Sequence, residues 1–80
     1  MTNVSKTRKL PPLPKIKLGV YQHYKGSMHK VIGIARHSET LEPLVVYTHG
    51  KNLWTRPTKM FLEKVLVDGK RVPRFTLLKK

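Results

Sequence analysis

Two short segments hold most of the residue types that could do chemistry: His37-Ser38-Glu39-Thr40 and Trp54-Thr55-Arg56-Pro57, set on either side of the apolar run Leu44-Val45-Val46-Tyr47. The first contains an imidazole, a hydroxyl and a carboxylate, the ingredients of a nucleophilic relay. A relay needs those groups to point at one another, which neighbours on a strand-end loop rarely do, and Ser38 lacks the glycines of a nucleophile elbow. The plainer reading is that Ser38, Glu39 and Thr40 bond backbone N–H groups of their own loop. In the second segment Trp54 and Arg56 are two residues apart, hence on one face of a strand. An aromatic plane beside a guanidinium is what single-stranded nucleic acids use, bases stacking and phosphates taking the cation. Plain packing of Trp54, with Arg56 paired to Glu39 or Glu42, is the alternative.

The four histidines, His23, His29, His37 and His49, raise a metal hypothesis, with Glu39 and Glu42 nearby in the chain. Their spacing does not favour it: there is no His-Glu-x-x-His helix, and a zinc site would need three or four ligands converging from separate strands. With no cysteine, disulfides, Cys-based zinc sites and a thiol nucleophile are excluded. Neither a metal, a cofactor nor catalysis is expected.

The elements that must position these residues read as strands. Leu18-Gly19-Val20-Tyr21 opens the first, with Tyr21 and His23 alternating with Val20, Gln22 and Tyr24. Lys25-Gly26-Ser27 is a turn. Met28 to Arg36 is a second strand in which Gly33 permits a bend or bulge. His37 to Thr40 is a loop, Leu44 to Thr48 a third strand and His49 to Asn52 a turn. Leu53 to Arg56 is a fourth strand, after which Pro57 can open a brief helix or 3₁₀ turn carrying Met60 and Phe61 inward. Asp68-Gly69 between Val65–Val67 and Val72–Leu77 is a hairpin signal, and Pro73 puts the final strand at an edge. About five strands joined by short loops predict a mainly β fold, a small barrel or a rolled sheet with one short helical turn.

Eighty residues make one domain with a single small core. Residues 1–17 are polar, basic and proline-containing and are expected to form a flexible arm; residues 18–80 are the globular part. Within the arm, Arg8-Lys9-Leu10-Pro11-Pro12-Leu13-Pro14 matches the basic-x-x-Pro-x-x-Pro pattern that SH3 grooves read, although linkers match it by chance. Seventeen Lys and Arg face four acidic residues, a formal charge of +13, and Leu18 to Leu78 alone carries +6. Such a field attracts nucleic acid, anionic headgroups or acidic proteins without choosing among them. No apolar stretch approaches a membrane span and no signal-peptide pattern opens the chain, so a cytoplasmic protein without membrane insertion is expected.

From Gly19 to Phe75 the chain resembles the domain of unknown function 1653 family. The likeness is carried by Gly19-Val20-Tyr21-Gln22-His23-Tyr24-Lys25-Gly26, Ile32-Gly33-Ile34-Ala35-Arg36-His37-Ser38-Glu39-Thr40, Leu44-Val45-Val46-Tyr47, Trp54-Thr55-Arg56-Pro57, Met60-Phe61-x-Glu63 and Pro73-Arg74-Phe75. The resemblance implies a small SH3-like β-barrel and no established activity or cofactor. It differs from the family at Met28-His29, where an aromatic residue is usual, and in a shorter turn from Thr48 to Leu53. The family pattern carries over onto Tyr21, His23, His37, Ser38, Glu39, Thr40, Trp54, Arg56 and Arg74, which are expected to line one shared site. The expected function is a non-enzymatic binding module for an anionic partner, nucleic acid first. A protein–protein adaptor using the barrel groove or the proline arm is the alternative, with a small hydrolase or metal-dependent enzyme third.

Overall fold

The structure, a computed structural model, describes residues 10 and 12–79. Four strands follow one another antiparallel, β1 (Gly19–His23), β2 (Met28–Arg36), β3 (Pro43–His49) and β4 (Asn52–Pro57). One helical turn, α1 (Thr58–Phe61), leads into the hairpin β5 (Lys64–Val67) and β6 (Lys70–Pro73), and the chain ends on β7 (Phe75–Lys79). The Asp68-Gly69 signal is realised as the β5–β6 turn. Both residues have positive φ, 50° and 78°, as a two-residue turn matching the strand twist requires. Gly33 falls where the β2–β3 register shifts, so the expected bulge is present.

The mainly β expectation holds, but the strands do not close into an SH3-like barrel. Five of them form one open sheet in the order β4-β3-β2-β1-β7, and β5 and β6 form a separate two-stranded ribbon. The cause lies at two prolines. Pro57 ends β4 and turns the chain into α1, which contacts β3 and β4, so that edge strand is followed by a helical turn and gains no second strand partner. Pro73 ends β6 and separates it from β7, so the one long final strand expected over Val72–Leu77 becomes two strands in different sheets. β7 then pairs with β1 and lies at the sheet edge, as Pro73 suggested for the final strand.

Residues directly opposite in an antiparallel ladder share a face, so register assigns the inner surface. The pairs Tyr21–His29, His23–Phe75, Val31–Tyr47, Val45–Arg56 and Tyr47–Trp54 all project to the same side. One end of that face is the core: Tyr21, Val31, Val45, Tyr47, Phe61 and Phe75 are buried, with Ile16 and Leu77 packed against them. Phe61, 1% exposed, is delivered by α1 and lies parallel to Phe75 at 4.3 Å between ring centroids. Met60 does not turn inward as the sequence implied; it is 44% exposed, because a single helical turn presents one residue to the sheet. The Thr58 hydroxyl donates to the Pro43 carbonyl at 3.1 Å and anchors α1 to β3.

Residues 12–18 have no regular secondary structure, yet Ile16 reaches the core and the Lys17 carbonyl accepts the Tyr21 hydroxyl at 2.7 Å. Arg8, Lys9 and Pro11 of the SH3-ligand pattern lie outside the described residues. No helix among the described residues is long and apolar enough to cross a membrane.

With so few buried residues, stability rests heavily on the phenylalanine pair. Phe61→Ala is expected to cost about 3–5 kcal/mol, a large share of the roughly 4–12 kcal/mol available to a domain of this size. Met60→Ala should stay within about 0.5 kcal/mol. Urea denaturation midpoints at constant slope check both.

Candidate functional site

Beyond the core, the same inner face becomes aromatic and cationic. His23 at the end of β1 pairs with Phe75, and its ring meets the Phe75 ring at 5.0 Å, edge to face. His29, near the start of β2, stands edge-on to both Tyr47 (5.3 Å) and Phe75 (5.2 Å). His49, at the end of β3, stacks on His29 with centroids 4.5 Å apart and planes 25° from parallel. Arg56 reaches across from β4, its guanidinium carbon 5.4 Å from the Phe75 centroid, a cation–π contact. Trp54, opposite Tyr47 on the edge strand, is 48% exposed.

Arg74 is held by its backbone. Its N–H donates to the Glu63 carbonyl at 3.0 Å and its carbonyl accepts the Tyr24 N–H at 2.9 Å. Its guanidinium also donates to Glu63 Oε1 at 2.7 Å, an exposed pair of small energetic weight that fixes geometry more than stability. Three polar atoms in this region are buried without a hydrogen-bond partner among the described residues: His29 Nδ1, Arg56 Nε and Arg74 Nε. Buried polar atoms are normally satisfied, so these three orphans set the region apart.

The electrostatics agree. Burial lowers the His23 pKa from its ordinary 6.5, and Arg56, Arg74 and Lys25 lower it further. Burial likewise lowers His29, helped by His49, His23 and Arg56. The charges that act on these imidazoles are all cationic. Tyr21, by contrast, belongs to the core; burial pushes its phenol pKa up and its hydroxyl is committed to Lys17.

The residues expected to share one site are therefore divided. His23 and Arg56 come together on Phe75, with Trp54 on the same face, while the Arg74 side chain is paired with Glu63. Tyr21 is 8% exposed and packs edge-on against Phe61 at 5.1 Å. His37, Ser38, Glu39 and Thr40 lie just past the far end of β2, at least eight residues or roughly 26 Å of strand from His29. The His37 Nδ1 accepts the N–H groups of Glu39 and Thr40 at 3.1 and 3.2 Å, and the Thr40 hydroxyl accepts the Glu42 N–H at 3.3 Å. This is the local backbone bonding the residue types suggested. Among the described residues, no bond between side chains joins His37 to Ser38 or Glu39, and no group of three His, Cys, Asp or Glu is placed to hold a metal.

Residues 19–77 match the model of a family described as "Protein of unknown function (DUF1653)". The chain belongs to the DUF1653 family. A crystal structure of a DUF1653 protein from Bordetella bronchiseptica is similar to it, with 36% identity, a TM-score of 0.74, and coverage of 80% of this chain and 88% of that one. No curated protein matches. In this DUF1653 chain His29 and His49, which the sequence raised only as metal candidates, join His23 and Arg56 beside the core rings of Tyr47 and Phe75. One signal pointed to His29: a turn at Lys25-Gly26 sets Tyr21 opposite His29, on the face that His23 also occupies.

Depressed histidines make stability depend on pH in a definite direction. Unfolded imidazoles take up protons as pH falls through about 6.5, whereas folded His23 and His29 resist until lower pH, so stability present above that value is lost on acidification. The melting temperature is expected to fall between about pH 7.5 and 5.5, and to fall less steeply in His29→Gln. A flat profile would contradict the burial of these rings.

Proposed function

We propose that the domain is a non-enzymatic binding module for an anionic partner, single-stranded nucleic acid foremost, and that it binds on the inner face around Phe75. The observation that carries this reading is the half-exposed Trp54 on the face where the Arg56 guanidinium rests on Phe75. Among the described residues no carboxylate pairs with Arg56. A base stacking on Trp54 would contribute about 1–3 kcal/mol, and its phosphate would meet Arg56 and Arg74. The overall charge of +13 adds a sequence-independent, salt-sensitive term. In this reading the His37 to Thr40 loop shapes the β2–β3 connection and takes no part in binding.

A protein adaptor is the second reading. It is favoured by a groove of about 390 Å³ between the end of the arm and α1, lined by Pro14, Pro43, Thr58 and Leu62 with Glu42 and Lys59 at its polar margin. That groove lies on other residues than the Phe75 cluster, so the two readings separate by mutation.

Fluorescence anisotropy with a short single-stranded oligonucleotide tests the first reading. Trp54→Ala should raise Kd about tenfold, and Arg56→Gln should weaken binding and reduce the salt slope by about one. His37→Ala should lower stability by about 1–2 kcal/mol through the lost loop bonds and leave Kd unchanged. Undetectable binding at low salt, or an unchanged Kd in the Trp54 and Arg56 double variant, would sink the proposal.

A further inference from the structure

Three imidazoles on the binding face have no task in stacking a base or neutralising a strand. His23, His29 and His49 come from three adjacent strands, with ring centroids 6.1 Å apart for the first pair and 4.5 Å for the second. Their surroundings fix much of their proton placement. The Lys25 N–H donates to His23 Nδ1 at 3.1 Å, so the neutral His23 ring carries its proton on Nε2, a donor. His49 Nδ1–H donates to the Met28 carbonyl at 3.0 Å, which leaves Nε2 of the neutral ring bare. His29 shares a hydrogen bond with the Ser27 hydroxyl through Nε2 at 2.9 Å, and its buried Nδ1 has no partner.

The charged and titratable groups facing this row are Lys25 and Tyr24 from the β1–β2 turn, Tyr47 from β3, Arg56 from β4, and Arg74 ahead of β7 with its partner Glu63. The fixed cations near the row are thus Arg56, Lys25 and an Arg74 that already shares its charge with Glu63. An internal phosphate diester brings one negative charge, which Arg56 matches. A terminal monoester brings about −1.5 to −2 near neutral pH, its second pKa lying near 6. The extra charge needs an extra cation, and an imidazole crowded by arginines becomes easier to protonate once an anion sits among them.

We propose that the His23–His29–His49 row makes this face selective for a terminal phosphate monoester, because a proton from solvent is taken up on the row when that group seats beside Arg56 and Arg74. The inference rests on the binding face proposed above and adds to it the class of strand end that binds best. One unit of upward pKa shift on a ring corresponds to at most a tenfold gain in affinity for the ligand that causes it, approached only below the free ring's pKa and lost above the bound one.

The experiment compares two single-stranded oligonucleotides of one sequence, one with a 5′-phosphate and one with a 5′-hydroxyl, on the full chain. Affinity is read by anisotropy and the histidine ring Hε1 resonances are followed against pH. The 5′-phosphate form should bind a few-fold tighter near pH 6, with the preference shrinking toward pH 8. The titration midpoint of His23 or His29 should rise by about one unit with that form and by clearly less with the other. Equal affinities, or ring midpoints that do not distinguish the two ends, overturn the inference while leaving the nucleic-acid reading standing. If neither strand binds, that reading falls, and phenyl phosphate decides the seat alone: ring midpoints that move upward keep it, and unmoved midpoints overturn it. The measurement uses the unaltered protein, so it does not depend on a histidine variant folding.

Discussion

The Phe75 ring is the point on which the rest of this structure depends. One side of its contacts is apolar: Phe61 lies parallel to it at 4.3 Å and ties the single helical turn to the sheet. The other side is polar, with His23 and His29 meeting it edge to face and the Arg56 guanidinium lying on it. An aromatic ring suits this position because its faces attract cations and its body fills a core, so one residue can close the hydrophobic cluster and organise the charged one. Fold and site are coupled through it; any change that moves Phe61 also moves the platform under Arg56.

That coupling follows from size. A five-stranded sheet has more inner surface than one four-residue helix can cover, and 80 residues leave little else to cover it with. The uncovered part of the face would be an aggregation hazard if it were aliphatic. Here it is furnished with imidazoles, an arginine and a half-exposed tryptophan, groups amphipathic enough to pack against Tyr47 and Phe75 while keeping a polar edge. The cost appears as orphaned nitrogens on His29, Arg56 and Arg74 and as histidines held below their ordinary pKa.

Much of the fold was legible because β structure announces itself locally. Met28 to Arg36 was bounded by a turn and a polar loop, Gly33 marked the bulge, and Asp68-Gly69 marked its hairpin. Closure was not legible. Whether a sheet rolls shut depends on where edge strands end relative to each other, and Pro57 and Pro73 stop β4 and β6 in ways that a strand count does not reveal. The site was half legible for a similar reason. His37-Ser38-Glu39-Thr40 drew attention because its polar residues are adjacent in sequence, but adjacency in a loop favours local capping. His29 and His49 are twenty residues apart in sequence. They stack only because the β2–β3 ladder, with Lys30 opposite Thr48, brings the start of one strand to the end of the other.

In the proposed function the ligand seats on the face around Phe75, and not on the His37 loop or the basic segment ahead of β1. An amide and indole NMR titration of the labelled chain with a short single-stranded oligonucleotide, repeated at low salt and at about 0.15 M where exposed charges are screened beyond roughly 8 Å, tests it most directly. Shifts at the Trp54 indole N–H and at the amides of His23, Arg56 and Phe75 are expected to persist at the higher salt, with His37 to Thr40 unmoved. Shifts confined to the basic segment or to the His37 loop, or lost altogether at 0.15 M, would contradict it.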